Sequence, residues 1–236
     1  MRKYLITIIA VFAVMFCQSE SLSAQGLKGL LNRSTSKYSL EKGLQKGISK
    51  AVSKASEKTV SVEAMPQTAE EFEAMQSEVA QTPEGAVMMV IISMEMYRKD
   101  PAVGEECIKM ANCDINFGSM FRRVKEIVKE SDDSYCRPYQ AAAFFKGADP
   151  DNGYNPTKPY TIRVRPSQTR KDERSQSLRG VVKFLEVYSD GFDSHWRSVE
   201  VVKQKGCDVY KVSNCPSIYT QCKEIDFECD REFEGL

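Results

Sequence analysis

Residues 147–164 read GADPDNGYNPTKPYTIRV, from Gly147 to Val164, and the fold turns on them. Upstream of this stretch apolar residues recur at helical spacing; downstream they alternate at strand spacing. Within it, Asp149-Pro150 favours the start of a turn, and Asn152-Gly153 supplies two residues that tolerate positive φ. Asn155-Pro156 and Lys158-Pro159 each push the residue before the proline into extended geometry. The composition predicts a stiff, ordered bend, pinned to the core by Tyr154 and Tyr160 with their hydroxyls turned to water. From Tyr160 the faces alternate, Tyr160, Ile162 and Val164 against Thr161, Arg163 and Arg165, the mark of a half-buried strand.

The bend is also the first place to look for chemistry. Asp149, Asp151 and Asn155 offer oxygen ligands at alternate positions with Gly153 between them. A calcium loop of the EF-hand type needs an acidic or amide residue at its fifth position and a Glu at its twelfth. Gly153 and Tyr160 stand there instead, so the turn reading is preferred and no metal is assigned. The candidate ligand contacts are Asp149, Asp151, Asn152, Tyr154, Asn155 and Tyr160 on the bend, with Arg163 and Arg165 on the strand that it launches.

Working back toward the N-terminus, Thr68 and Glu71 form a capping box for a helix through about Ala80. Thr82 then Pro83 reads as N-cap and first helical residue of a second. From Ala86 to Tyr97 the chain is almost wholly apolar, which predicts a helix buried on all sides and too short to span a bilayer. Glu95 interrupts this run and needs a partner such as an arginine, or must face out. Asp100-Pro101 opens a third helix carrying Val103, Cys107, Ile108 and Met110. Phe117 to Val128 predicts a fourth, and Gln140 to Lys146 a short one that delivers Phe144 and Phe145 to the core.

Working forward, Pro166 to Ser177 reads as an exposed loop. Strands follow at Leu178–Tyr188, Trp196–Lys203 and Cys207–Val212, joined by turns short enough to require antiparallel pairing. The predicted class is α+β: an N-terminal helical cluster with a buried central helix, packed on a C-terminal antiparallel four-stranded meander.

The run GADPDNGYNPTKPYTIRV resembles the signature of an uncharacterised bacterial family, a domain of unknown function with the general form ATPENNYTPSxPYTI. The pieces MPQTAEEFEAM, TPEGAVMMVIISMEMYRKD and VVKFLEVYSDGFDSHWRSVEVVKQKG resemble the same family, so the resemblance spans Met65 to Tyr219. It departs in the last strand, where relatives tend to carry Trp after the Gly-Asp turn and this chain has Cys207, Asp208, Val209 and Tyr210. The resemblance implies domain boundaries and an order of elements; it brings no catalytic residues.

The N-terminus carries Met1-Arg2-Lys3, an apolar run from Tyr4 to Phe16, and small residues up to Ala24. That predicts a signal peptide over 1–24 and an exported protein, periplasmic or secreted. A lipid anchor at Cys17 is the lesser alternative, because Phe16 stands where lipidation requires a small residue. Residues 25–62 read as a lysine-rich, partly helical tether. Over 38–60 the lysine stripe beside Leu40, Leu44, Ile48 and Val52 has a second reading, a basic helix lying on an anionic membrane surface. The globular domain is placed at 63–216 and an acidic, cysteine-containing tail at 217–236. Net charge is zero, so bulk electrostatics names no partner. Basic residues nevertheless crowd the first strands, and the acidic tail is expected to attract that face.

Removal of Cys17 with the leader leaves an odd number of cysteines, which cannot all pair within one chain. Export favours disulfides, and one is predicted among Cys207, Cys215, Cys222 and Cys229. Their spacing lacks the close ligand pairs of structural zinc sites. Cys107 and Cys113 are expected to be buried thiols. His195 is the sole histidine and lies in a turn. No glycine-rich phosphate loop is present, no cofactor is implied, and nucleic acid is not an expected partner: the basic residues lack interleaved stacking aromatics.

The function these features predict is a non-enzymatic exported domain. It would bind an envelope component or anionic ligand through the bend and the adjacent sheet. Two alternatives stand beside it. One is a hydrolase-like enzyme with Glu95, His195 or a cysteine between helices and sheet; the other is a structural envelope protein acting through the basic helix.

Overall fold

A computed structural model describes residues 57–113, 117–129 and 134–225. The predicted signal peptide with Cys17, the tether up to residue 56, Cys229 and the end of the acidic tail lie outside the described residues. The elements in chain order are β1 (Lys58–Val62), α1 (Ala69–Val79), α2 (Pro83–Lys99), α3 (Pro101–Ala111), α4 (Phe117–Val128), β2 (Tyr160–Pro166), β3 (Glu173–Ser175), β4 (Gly180–Tyr188), β5 (Trp196–Gln204) and β6 (Lys211–Asn214). The class is α+β, as the sequence predicts.

The helices begin where their caps say. Thr68 Oγ1 accepts from the Glu71 N–H at 3.2 Å, and the Glu71 carboxylate accepts from Gln67 N at 2.7 Å, one residue earlier than an ideal capping box. Thr82 Oγ1 caps α2 through Gly85 N at 3.0 Å, with Pro83 at the first helical position. Asp100 closes α2 and opens α3, accepting from Ala102 N and Val103 N.

α2 is the centre of the core. Every residue from Ala86 to Met94 is buried, and the helix packs on α1 and α3 and on strands of the sheet. Each fully buried Val, Ile or Met side chain contributes about 1.5–3 kcal/mol, so this single rod supplies much of the hydrophobic stabilisation. Glu84, in its first turn, is buried as well and pairs with Lys58 of β1 at 2.8 Å.

The sheet is antiparallel and has six strands, in the order β1-β2-β4-β5-β6 with β3 pairing β4. The four-stranded prediction is corrected at three places. β1 lies inside the segment expected to be tether: Val60 and Val62 pair opposite Ile162 and Tyr160, so the alternation in Thr59-Val60-Ser61-Val62 outweighs the lysine periodicity running through Lys58. β3 lies inside the expected loop. β6 begins at Lys211, not Cys207. One face of the sheet (Ile162, Val164, Leu185, Val187, Val199, Val201) joins the main core. On the other, Val182, Phe184 and Val202 form a small separate cluster with Cys113.

The tail boundary at 217 is corrected too. Ile218, Tyr219 and Cys222 belong to the main core. The buried Gln140 side chain donates to the carbonyls of Ile218 at 2.7 Å and Thr220 at 2.8 Å, and accepts from Cys222 N at 3.0 Å. Arg137, also buried, donates to the Cys222 carbonyl at 3.1 Å and pairs with Glu224. The short helix expected over Gln140–Lys146 is one 3-10 turn at Ala142–Phe144, and it does bury Phe144 and Phe145.

Candidate functional site

The bend is built by its own side chains. Asp149 and Asn152 cap one another reciprocally around a 3-10 turn at Pro150–Asn152, with N···O distances of 2.9 and 3.1 Å. Asn152 Oδ1 also accepts from Asn155 N at 3.1 Å, and Asn155 Nδ2 donates to the Asn152 carbonyl at 2.8 Å. Gly153 and Tyr154 then take consecutive left-handed conformations, φ 65° and 56°, which reverse the chain and drive the Tyr154 ring inward. The Lys158–Pro159 peptide is cis. Asp149 and Asn152 are thus spent on the turn itself, and Asp151 points to solvent.

Behind the bend lies an open cleft of about 390 Å³. Four segments form it: Gly153–Pro156 with Tyr160, the last turns of α2 with Glu95, Arg98 and Lys99, residues Pro138, Tyr139, Ala142 and Phe145, and Met65 between β1 and α1. Two aromatic pairs make the walls. Tyr139 stacks on Tyr154 with centroids 4.8 Å apart and planes 10° from parallel, and Phe145 meets Tyr160 at 5.5 Å. Tyr154 is buried and its hydroxyl does not face water, contrary to expectation: it donates to the Lys223 carbonyl at 2.9 Å. Burial holds its phenol far above the usual range.

Glu95 finds the arginine it needs. Arg98 grips its carboxylate with Nη2 at 2.7 Å from Oε1 and Nε at 3.1 Å from Oε2, while Lys99 Nζ stands 4.0 Å away. Among the described residues, Arg98 and Lys99 thus both stand at the Glu95 carboxylate. They also sit at the C-terminus of a helix, where positive charge complements the macrodipole.

Of the eight predicted ligand contacts, Tyr154, Asn155 and Tyr160 line the cleft. Arg163 and Arg165 do not. They lie on the opposite sheet face, stacked on aromatics and paired with acids: Arg163 over Tyr188 at 4.1 Å and on Glu57, Arg165 over Trp196 at 3.9 Å and on Glu186. Glu224, the one described acid of the expected tail, pairs with Arg137 instead; the acids from residue 226 onward lie outside the described residues. The acids that neutralise this face are Glu57 just before β1, Glu186 of β4 and Glu200 of β5, the last paired with Arg170; Lys183, on the other face with Leu185 and Val201, pairs with Asp172 of the β2–β3 loop.

His195 belongs to the β4–β5 hairpin, apart from the cleft lining. Its ring stacks on Tyr188 at 5.2 Å and its Nδ1 lies 3.0 Å from the Ser189 carbonyl. Reasoning from sequence missed Tyr139, Arg98 and Lys99. The Pro138-Tyr139 step and the basic close of α2 were the available signals.

The disulfide expectation is corrected for three of its four cysteines. Cys215 and Cys222 are buried and Cys207 half-buried, and no disulfide joins the three to one another; Cys229 lies outside the described residues. Cys215 and Cys222 sit in the apolar core beside different tyrosines, Cys215 Sγ 2.7 Å from Tyr219 Oη and Cys222 beside Tyr154. Burial pushes both thiols up to about 12 and Cys107 up to about 11.

Searches of the curated proteins and of the solved structures found no match. Residues 64–226, spanning α1 to the C-terminal segment that Arg137 and Gln140 hold in place, match the family described as Domain of unknown function (DUF6935), and the chain belongs to that family.

Proposed function

We propose that this protein is an exported, non-enzymatic binding domain of the bacterial cell envelope that seats an anionic, ring-bearing ligand in the cleft behind the bend. The observation that carries the reading is the union, in one cleft, of a stacked tyrosine pair with the basic end of α2. Flat aromatic walls favour a ring or apolar body, and the exposed Lys99 ammonium, 4.0 Å from Glu95, is placed to meet an acidic group on it. Rigidity supports the reading further. The bend is cross-linked by its own side chains, so the wall is set before a ligand arrives. Leader 1–24, a lysine-rich segment and a globular domain form the organisation that goes with it. Periplasmic or secreted placement follows from the leader.

The hydrolase reading has less to stand on. Among the described residues, Glu95 is the one carboxylate in the cleft lining, and Arg98 clamps it. A two-acid mechanism needs a second carboxylate facing the first.

Titrating the full chain with soluble, carboxylate-bearing cell-wall glycopeptide fragments, followed by calorimetry, tests the proposal. Saturable binding is expected, reduced about tenfold or more by Tyr139→Ala and by Lys99→Glu, and unchanged by Arg165→Gln. Absence of binding, or binding indifferent to both cleft substitutions, overturns it.

A further inference from the structure

The far end of the sheet, where β4 begins at Gly180, carries a second feature. Pairing register sets Arg174 of β3 opposite Val181 of β4, and Val181 opposite Lys203 of β5. Directly paired residues project from the same face, so an apolar side chain stands between two cations. Val181 is 40% exposed, one of only two large apolar side chains exposed among the described residues. Arg179, held at φ 51° in the turn before β4, and Lys205, whose N–H donates to the Arg179 carbonyl at 3.0 Å, complete the group.

These side chains border an open depression of about 450 Å³ whose lining contains no carboxylate. The contrast with the neighbouring basic residues is sharp. Arg163, Arg165, Arg170 and Lys183 each have an acid within 4.0 Å. Arg174, Arg179, Lys203 and Lys205 form no ion pair among the described residues. In a chain of zero net charge, four cations without an ion pair among the described residues surround an exposed valine, and the fold engages only Lys203, whose Nζ lies 5.9 Å from the Tyr210 ring.

We infer that this end of the sheet docks on an anionic lipid surface, with the four cations at the phosphate headgroups and Val181 at the boundary with the acyl chains. Recognition of single-stranded nucleic acid calls for rings on which bases stack, and no aromatic residue lines the depression. Long aliphatic stems ending in charge suit a headgroup layer, because they cover apolar surface while the charge stays hydrated. The site is independent of the cleft. It lies at the opposite end of the sheet, since the bend enters β2 at Tyr160 and β2 runs antiparallel to β4, with Val164 facing Val187.

The test is co-sedimentation of the full chain with phosphatidylcholine vesicles containing 30% phosphatidylglycerol, against pure phosphatidylcholine. Each basic side chain brought to an anionic surface raises the partition about fivefold. Lys203→Gln with Lys205→Gln should therefore lower binding about 25-fold, and raised salt should do the same. Val181→Ser should weaken it, and Val181→Trp should strengthen it and give emission that lipid-borne quenchers extinguish. The substituted positions are exposed or half-buried at a sheet end, and matching circular-dichroism melts check that each variant folds. Four outcomes overturn the inference. They are no preference for the anionic vesicles, binding that the lysine substitutions leave unchanged, a Val181→Trp probe that the quenchers do not reach, and binding of heparin or inorganic phosphate without binding of vesicles.

Discussion

The Tyr154 hydroxyl donates a 2.9 Å hydrogen bond to the main-chain carbonyl of Lys223. The bend is therefore fastened to the C-terminal segment, and that segment is part of the domain. Tyr154→Phe keeps the ring and removes the donor from a part-buried hydrogen bond, which is expected to cost about 1 kcal/mol. Tyr154→Ala also removes the stack on Tyr139 and leaves a cavity, for a loss of about 3–5 kcal/mol. Urea denaturation of both variants checks this; equal losses would show that the ring contributes nothing beyond its hydroxyl.

On the outer face of the sheet Arg165 serves two partners at once, the Trp196 ring at 3.9 Å and the Glu186 carboxylate at 2.7 Å. Both ionic side chains are mostly buried, so Arg165→Ala strands Glu186 in a poorly hydrated place. The expected cost is about 2–3 kcal/mol. Arg165→Lys should recover only part of it, because an ammonium does not lie flat on an indole. Trp196 is the single tryptophan, so its emission reports the stack directly: it should shift in Arg165→Ala and stay fixed in Tyr154→Phe.

Much of this architecture is legible in the sequence because it rests on local signals. Thr68, Thr82 and Asp100 announce three helix starts, and the unbroken apolar run of α2 announces its burial. The bend is legible because Gly153, Pro150 and Asn152 each restrict the backbone in a known way. What escapes is nonlocal. Short β3 has three residues and no apolar pattern of its own; only its pairing with Val181 and Val182 makes it a strand. β1 is hidden because Lys58 completes a four-residue lysine repeat that suggests a helix. Arg163 and Arg165 look like a free basic face, since nothing in the chain order tells that Glu57 and Glu186 arrive beside them. The same limit applies to the cleft. Tyr139 and Tyr154 belong to different turns on either side of the Ala142–Phe144 3-10 turn, and only the fold lays one ring on the other.

β1 matters more than its length suggests. The family match begins at residue 64, after the strand, yet Lys58 pairs with the buried Glu84 at 2.8 Å and β1 covers the edge of β2. A chain starting at residue 64 should lose about 3 kcal/mol or more, through an uncompensated buried carboxylate and an exposed sheet edge. It should also self-associate. A chain starting at residue 57 should keep the full stability. Urea midpoints and light scattering compare the two, and equal midpoints would mean that β1 is dispensable.

The buried thiols make stability fall at alkaline pH. Burial raises Cys107 from the ordinary 9.0 to about 11, and Cys222 and Cys215 to about 12. A raised acid favours the protonated form in the folded state only. The stability it provides is complete below pH 9, then declines as the unfolded chain ionises, and is lost as pH rises through 11 for Cys107 and 12 for the other two. Each group adds about 1.4 kcal/mol per pH unit to the decline within its window. Cys222→Ala should make the slope of stability against pH shallower above pH 9 and leave it unchanged at pH 7. The same burial predicts selectivity in thiol chemistry, since the thiolate is the reactive species. At pH 8 a maleimide should label half-buried Cys207 in the native protein and reach Cys107 and Cys222 only after denaturant is added. Peptide mapping reads this out, and native labelling of Cys222 at the rate of Cys207 would contradict the packing described here.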